Sequence, residues 1–358
     1  MKNELAENIF IFSDQIGAGK TTILKTWTQN KPTVTGFLSV KIDGKRFFDN
    51  LKTGEKRPME IENSDLKIGK FSFDPEIFLW AEKELLKQYQ SDKEWLIIDE
   101  IGPLEIRKNQ GFHALILKII QENPASKPKI IFVVRDFMVA EFIDKYKFSH
   151  AKILSKNYFT PNKRETDLVG IALCGGESRR MKTDKALLNY GNSPQWKKVH
   201  QLLQPFCKKV VISINEKQWE DWAKENPYEF IIDEKKYFDH GPLTGVLSVL
   251  EKFPDSSLLI IGTDFPFLKL ENLIHLNNER NSFYEAVCFE TEGLLQPLIS
   301  IIEKEAIAKL LEYYKQGNDS LRKFLGEIKT KEIEITENQF LENINTERDF
   351  QILKNKND

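Results

Sequence analysis

Two short apolar runs in this chain each end in a loop of glycines and cations. That pairing decides what the chain can fold into. Leu168 to Leu173 leads into Cys174-Gly175-Gly176-Glu177-Ser178-Arg179-Arg180-Met181-Lys182-Thr183-Asp184-Lys185, followed by Ala186-Leu187-Leu188. Ile9 to Phe12 leads, four residues on, into Gly17-Ala18-Gly19-Lys20-Thr21-Thr22. A strand that runs into a glycine loop and then a helix brings backbone N–H groups close to phosphate oxygens. The two loops differ in construction, so the chain is expected to hold two separate phosphate cradles.

The length of 358 residues suits two domains, each large enough to bury a core. A net charge of −2 speaks against a bulk nucleic-acid or anionic-membrane binder. The three cysteines, Cys174, Cys207 and Cys288, are odd in number and far apart, which fits a reducing compartment rather than a disulfide framework. The acidic start Met1-Lys2-Asn3-Glu4 lacks the pattern of a signal peptide, and the apolar runs fall far short of the about 20 residues that a membrane span needs. A cytoplasmic protein is the expectation.

Along the chain, β-branched apolar runs alternate with longer amphipathic segments, the pattern of helices packed on a parallel sheet. Strands are predicted at 9–12, 34–40, 96–99, 130–134, 169–173, 210–214, 230–232, 258–261, 286–289 and 295–300. Helices are predicted at 21–29, 75–89, 112–122 and 246–251. Residues 43–69 are polar and glycine-punctuated and read as a hairpin or surface excursion. From Ser149 to Asp167 the sequence turns polar and basic. The domains are therefore read as 1–155 and 167–358, joined by a linker at 156–166. The fold class is α/β, in two three-layer αβα domains; the resemblances that their motifs carry imply a P-loop NTPase fold for the N-terminal one and a Rossmann-like nucleotidyltransferase fold for the C-terminal one.

In the N-terminal loop, glycines give the backbone access to phosphate, Lys20 neutralises the terminal phosphates and Thr21 holds Mg2+. Gly17, Gly19, Lys20, Thr21 and Thr22 are the nucleotide-binding candidates. Asp14 stands where the pattern has its first glycine, a departure the loop can absorb because Asp takes left-handed backbone angles at modest cost. Leu96-Ile97-Ile98-Asp99-Glu100 is an apolar strand tipped by two carboxylates. Beside the P-loop strand it puts Asp99 at the metal and lets Glu100 position or deprotonate water. Arg107 and Arg135 are candidates for transition-state charge, with a surface ion pair as the plainer role. Asp99-Glu100-Ile101-Gly102-Pro103-Leu104-Glu105, the loop at 17–22 and Val34-Thr35-Gly36-Phe37 together resemble the small P-loop nucleoside-triphosphatases, over residues 9–146. That resemblance implies hydrolysis of ATP or GTP. A GTP-binding adaptor of molybdenum cofactor synthesis is the alternative.

In the second half, Gly175 and Gly176 open the loop, and Arg179 and Lys185 put charge where pyrophosphate leaves. Asp184 is expected to orient Lys185 or Arg180. Ile231-Ile232-Asp233, Gly241-Pro242-Leu243-Thr244-Gly245 and Thr263-Asp264-Phe265-Pro266 follow. Strand ends of this kind form the ligand crevice of an open parallel sheet, with Asp264 as the Mg2+ ligand. These segments, with Asn343-Ile344-Asn345-Thr346, resemble the molybdenum cofactor guanylyltransferase family over residues 169–353. The resemblance implies transfer of GMP from GTP to molybdopterin with release of pyrophosphate. It implies that Leu173, Gly175, Gly176 and Lys185 hold GTP. Asn215 and Asp233 then meet base or ribose, Asp264 meets Mg2+, and Asn343 and Asn345 lie on the cofactor side. Asn215 also reads as a helix cap, and Asn343 and Asn345 as turn formers. Lys182 replaces a glycine usual in the family. Cys174 reads as a packing residue rather than a nucleophile. Rival readings are a nucleotidyltransferase using CTP or a sugar phosphate, and an adaptor that delivers cofactor to molybdoenzymes or cofactor-synthesis partners.

Overall fold

The computed structural model describes residues 8–122, 128–160, 168–175, 184–189, 193–237, 240–335 and 339–341. The chain divides into two compact units, Met1–Pro161 and Asn162–Asp358. Among the described residues no helix is long and apolar enough to cross a membrane.

In the first unit the strands are β1 (Ile9–Phe12), β2 (Val34–Ile42), β3 (Lys45–Asn50), β4 (Lys56–Pro58), β5 (Lys67–Ile68), β6 (Phe71–Ser72), β7 (Trp95–Ile101), β8 (Lys129–Val134) and β9 (Lys152–Leu154). The helices are α1 (Lys20–Thr28), α2 (Pro75–Tyr89), α3 (Pro103–Arg107), α4 (His113–Glu122) and α5 (Val139–Tyr146). Seven strands form one sheet in the order β4-β3-β2-β7-β8-β1-β9, and β5 and β6 pair separately. Alternate side chains sort onto its two faces. Phe12, Leu38, Ile97, Ile131 and Val133 pack with Leu24 and Trp27 of α1. On the other face Phe37 meets Trp80 of α2, and Phe132 meets Phe142 of α5. Helices therefore cover both faces, giving three layers. Asp74 caps α2 through the Glu76 N–H at 2.9 Å with Pro75 at its first position, so the sequence signal for this helix is complete.

In the second unit the strands are β10 (Leu168–Leu173), β11 (Cys207–Ile214), β12 (Phe230–Ile232), β13 (Ser257–Gly262), β14 (Ala286–Thr291), β15 (Leu294–Ile302) and β16 (Thr330–Glu334). The helices are α6 (Gln195–Leu203), α7 (Glu216–Gln218), α8 (Pro242–Leu250), α9 (Leu270–Asn278), α10 (Lys304–Lys315) and α11 (Leu321–Glu327). The sheet order is β12-β11-β10-β13-β15-β14-β16. Helices α8, α10 and α11 share one core with Val169, Ile171, Leu173, Leu258 and Ile260. Gly170 lies against Leu203 of α6, where an added Cβ would stand 3.2 Å from the leucine Cβ.

Four expectations are corrected. The sheets are mixed, because β3, β4 and β15 run antiparallel to their neighbours. Two-residue loops cause two of these reversals. Asp43 and Gly44 (φ +49° and +81°) join β2 to β3, and Glu292 and Gly293 (φ +53° and +77°) join β14 to β15, the geometry of tight hairpins. The P-loop strand and the carboxylate strand are not neighbours, since β8 pairs in parallel with both β1 and β7. The stretch read as linker starts too early. Strand β9 pairs with β1, and Phe159 is buried against Phe12 and Trp27 at centroid distances of 4.6 and 5.2 Å. Helix α8 begins at Pro242 rather than Val246, so the Gly-Pro-Leu-Thr-Gly motif is its first turn. Gly245 fits there because a Cβ would come within 2.3 Å of the Ser213 hydroxyl and 2.7 Å of Leu173.

Candidate functional site

In the first unit the loop after β1 turns into α1 through Gly17 (φ +86°) and Gly19 (φ +80°). A Cβ at either would meet nothing within 4 Å, so glycine is required for the backbone angle and not for space. Asp14 has no left-handed backbone angle, so the loop does not call on that freedom at this position. Its carboxylate accepts from the Gln15 N–H at 2.8 Å. Lys20 donates to the carbonyls of Asp14 and Gln15 at 2.7 and 3.0 Å, so its ammonium is folded over its own loop. Burial pushes the Lys20 pKa down, against the pull of Asp14 and the other nearby carboxylates.

Strand β8 spaces β1 from β7, yet the Thr21 hydroxyl donates to Asp99 at 3.0 Å. The Ser39 N–H donates to the same carboxylate oxygen at 3.0 Å. Asp99 is 2% exposed, and burial followed by the neighbouring Glu100 pushes its pKa up to about 7. In a regular strand Asp99 and Glu100 face opposite sides. Here the β7–β8 register shifts between Asp99 and Ile101, and both residues line one cleft. That cleft has a volume of about 830 Å3 and is also lined by Gly17, Gly19, Lys20, Thr21 and Thr22. Arg107 makes the exposed ion pair expected of it, with Glu141 at 2.9 Å. Arg135 does not lie apart on the surface. It lines the cleft and donates to Glu100 at 3.2 Å.

In the second unit the chain starts at β10, moves out to β11 and β12, and returns to β13 on the other side of β10. The crevice of such a sheet opens at this switch point, beyond the carboxyl ends of β10 and β13. Leu173 ends β10, and its carbonyl accepts from the Thr263 N–H at 3.2 Å; the Cys174 N–H donates to the Ser213 carbonyl at 3.0 Å. Lys185 meets Asp264 across this gap, Nζ to Oδ1 3.1 Å, with side chains 20% and 31% exposed. Asp233 accepts from the Ser213 hydroxyl at 2.8 Å. A Cβ on Gly175 would stand 2.6 Å from the Asp233 carboxylate, so only glycine passes this point. Burial, opposed by the Ser213 hydrogen bond, pushes Asp233 up to about 6.

Asn215 is engaged as a helix cap: its side chain accepts from the Gln218 N–H at 2.9 Å. Asp184 caps its own short turn through the Ala186 N–H at 3.0 Å and accepts from Gln218 and Trp222 at 2.8 and 3.2 Å. It thus holds the turn that carries Lys185. The Cys174 thiol is buried, and burial raises its pKa well above the ordinary value. Gln218 escaped the sequence reading, yet it ties the Cys174 carbonyl (2.9 Å) to Asp184. The Asn-x-x-Gln spacing of a capping box was the available signal. Gly176, Arg179, Lys182, Asn343 and Asn345 lie outside the described residues.

The geometry defines a class: a P-loop nucleotide cleft in one unit and a switch-point nucleotide crevice in the other. Comparison with known proteins gives the same division. Residues 8–168 match the NTPase family model, and residues 170–333 match the family model described as MobA-like NTP transferase domain. The chain joins an NTPase domain to a MobA-like NTP transferase domain. A Synechocystis protein named molybdenum cofactor biosynthesis bifunctional protein is 30% identical over 141 residues, 39% of this chain and 40% of that one. A probable molybdenum cofactor guanylyltransferase of Flavobacterium johnsoniae is 27% identical over 50% of this chain and 92% of its own length. Among solved structures, the molybdopterin-guanine dinucleotide biosynthesis protein A of Archaeoglobus fulgidus is 23% identical, with a TM-score of 0.44 over 53% of this chain and 98% of that one. THEP1 of Aquifex aeolicus is 19% identical, with a TM-score of 0.34 over 43% and 91%.

Proposed function

We propose that the second unit transfers GMP from GTP to the phosphate of molybdopterin, and that the first unit binds and hydrolyses a nucleoside triphosphate. The observation that carries the first part is the Lys185–Asp264 pair at 3.1 Å, at the switch point beside Gly175 and Asp233. The molybdopterin phosphate oxygen attacks the α-phosphorus of GTP, a new P–O bond forms, and the bond to the departing pyrophosphate breaks. Lys185 stabilises charge on that pyrophosphate, and Arg179 of the same loop is assigned the same task. Leu173, Gly175 and Gly176 hold GTP by their backbone. Asp233 accepts from base or ribose. Asn343 and Asn345 serve the cofactor side.

The donors suit Mg2+ in both units. Asp264 supplies a single half-exposed carboxylate, which matches a cation held mainly by phosphate oxygens and water. Asp99 and Thr21 put a desolvated carboxylate and a hydroxyl 3.0 Å apart, a hard-oxygen pair. The ion supplies charge neutralisation to the phosphates at both places. In the first unit Lys20 leaves its loop carbonyls for the β- and γ-phosphates, and Glu100 orients the attacking water.

Full-length protein incubated with GTP, Mg2+ and molybdopterin is expected to yield the guanine dinucleotide and pyrophosphate. No product with any nucleotide overturns the transferase assignment, and product with CTP but not GTP overturns the base assignment. Product formation by Asp264→Ala at the wild-type rate removes Asp264 from the site.

A further inference from the structure

The charge around Glu100 exceeds what orienting a water requires. Its Oε1 accepts from Arg135 at 3.2 Å. Its Oε2 accepts from the Ser39 hydroxyl at 3.3 Å and lies 3.9 Å from Nε of Arg46. Arg46 is fixed on two further sides. Its NH1 meets Glu60 at 3.1 Å, and its guanidinium stacks on the Phe71 ring at 4.2 Å from the centroid. The two arginine side chains are only 14% and 26% exposed, so their fields are poorly screened.

The placement follows from the topology. Strand β8 runs between β1, which leads into the P-loop, and β7, which ends in Asp99 and Glu100. The residue just past the end of β8 is Arg135, so this guanidinium emerges between the loop and the two carboxylates. Arg46 enters from β3, where it pairs with Lys41 of β2, two residues beyond Ser39. A path of contacts leads away from the P-loop: Thr21 to Asp99, Asp99 to Ser39, Ser39 to Glu100, and Glu100 to both arginines. All of these residues line the one cleft. A triphosphate seated on Gly17, Gly19 and Lys20 would lie in the same cleft as both arginines. A phosphate carries charge and acceptor oxygens that suit paired guanidinium forks.

We propose that Arg46 and Arg135 form a terminal-phosphate clamp supplied by this chain itself. Glu100 holds both guanidiniums in place. When a triphosphate enters, the γ-phosphate takes up their free N–H groups, and they stabilise the charge that spreads over its equatorial oxygens as the bond to the β-phosphate oxygen breaks and water oxygen bonds to phosphorus. The water proton passes to Glu100 or out to solvent. The inference rests on the proposed binding of a triphosphate at the P-loop, and its test separates the two.

The test is calorimetric titration of full-length protein with Mg-ADP, alone and with aluminium fluoride, which mimics the transferred phosphoryl group. Only the uptake that Lys20→Ala abolishes is counted, which isolates the P-loop. Arg46→Ala and Arg135→Ala are expected to bind ADP within about twofold of wild type, while uptake of the aluminium fluoride complex weakens at least about tenfold. ATP hydrolysis should fall by about 10³–10⁵ in kcat, with KM little changed, the range found for such arginines. Arg46→Lys and Arg135→Lys should recover part of the loss. Equal weakening of ADP and of the fluoride complex makes the arginines props of the fold and overturns the clamp. Unchanged affinity for both overturns it as well. Absence of any Lys20-dependent uptake by the wild type overturns the P-loop reading and the clamp with it.

Discussion

The two nucleotide cradles solve one problem with different materials. In the first unit the loop needs glycine for its angles: Gly17 and Gly19 sit at positive φ with open space around them. In the second, Gly175 is needed for room, because Asp233 stands 2.6 Å from where a side chain would begin. The first lysine, Lys20, rests on loop carbonyls and has yet to meet a charged partner, whereas Lys185 is already paired with Asp264. The first carboxylate, Asp99, is buried, whereas Asp264 is 31% exposed. The contrast bears on the two proposed reactions, hydrolysis in one unit and group transfer in the other.

This contrast can be broken by substitution. The largest effect is expected from Lys185→Ala and Asp264→Ala, each of which should cost dinucleotide formation about 10²–10³-fold, with ATP hydrolysis unaffected. Next comes Gly36→Ala. Gly36 has φ +124°, and its Cβ would lie 2.1 Å from the Ile97 carbonyl oxygen, between β2 and β7. Its N–H also feeds the buried Gln88 carbonyl at 2.8 Å. A loss of about 3 kcal/mol or more is expected. It should appear in denaturant unfolding of the first unit while dinucleotide formation persists; loss of both activities together would show that the units do not fold apart.

Smaller effects depend on pH. Asp233 is held at about 6 and is needed ionised to accept from base or ribose. GTP uptake by the second unit should therefore rise as pH passes upward through about 6, and Asp233→Asn should flatten that profile. Glu105 is 2% exposed, accepts from Gly102 and Phe112 N–H groups at 2.9 and 3.0 Å, and is pushed by burial to about 7 from 4.5. The folded state thus binds its proton more tightly than the unfolded chain. This group's contribution to stability is greatest below about pH 4.5 and declines as pH rises to about 7. Denaturant midpoints at pH 5 and 7.5 should differ in that sense for wild type and less for Glu105→Gln; a wild-type midpoint that rises contradicts it.

Much of this was legible in the sequence because it is written locally. Asp74-Pro75 fixed the start of α2, and the runs Ile9–Phe12 and Phe230–Ile232 are strands to the residue. Asp99 and Thr21 were each read as residues at a metal, and the structure brings the Thr21 hydroxyl within 3.0 Å of the Asp99 carboxylate. What escaped was non-local. The insertion of β8 between β1 and β7 depends on strand order, which no periodicity records. The place of Arg135 in the cleft follows from that insertion, so the sequence alone could not choose between transition-state charge and a surface ion pair for it. Strand β9 is three residues long and at an edge, and its Ile153 and Leu154 with Phe159 beyond them show no helical or strand period. Glu292-Gly293 was a readable hairpin turn, and recognising it would have made β15 antiparallel.

The central claim is that the chain holds two nucleotide sites that work independently. A crossed assay on full-length protein tests it most directly: ATP hydrolysis and dinucleotide formation measured side by side in wild type, Lys20→Ala and Asp264→Ala. The account predicts that Lys20→Ala loses hydrolysis and keeps dinucleotide formation, and that Asp264→Ala does the reverse. One variant that abolishes both reactions while remaining folded contradicts it.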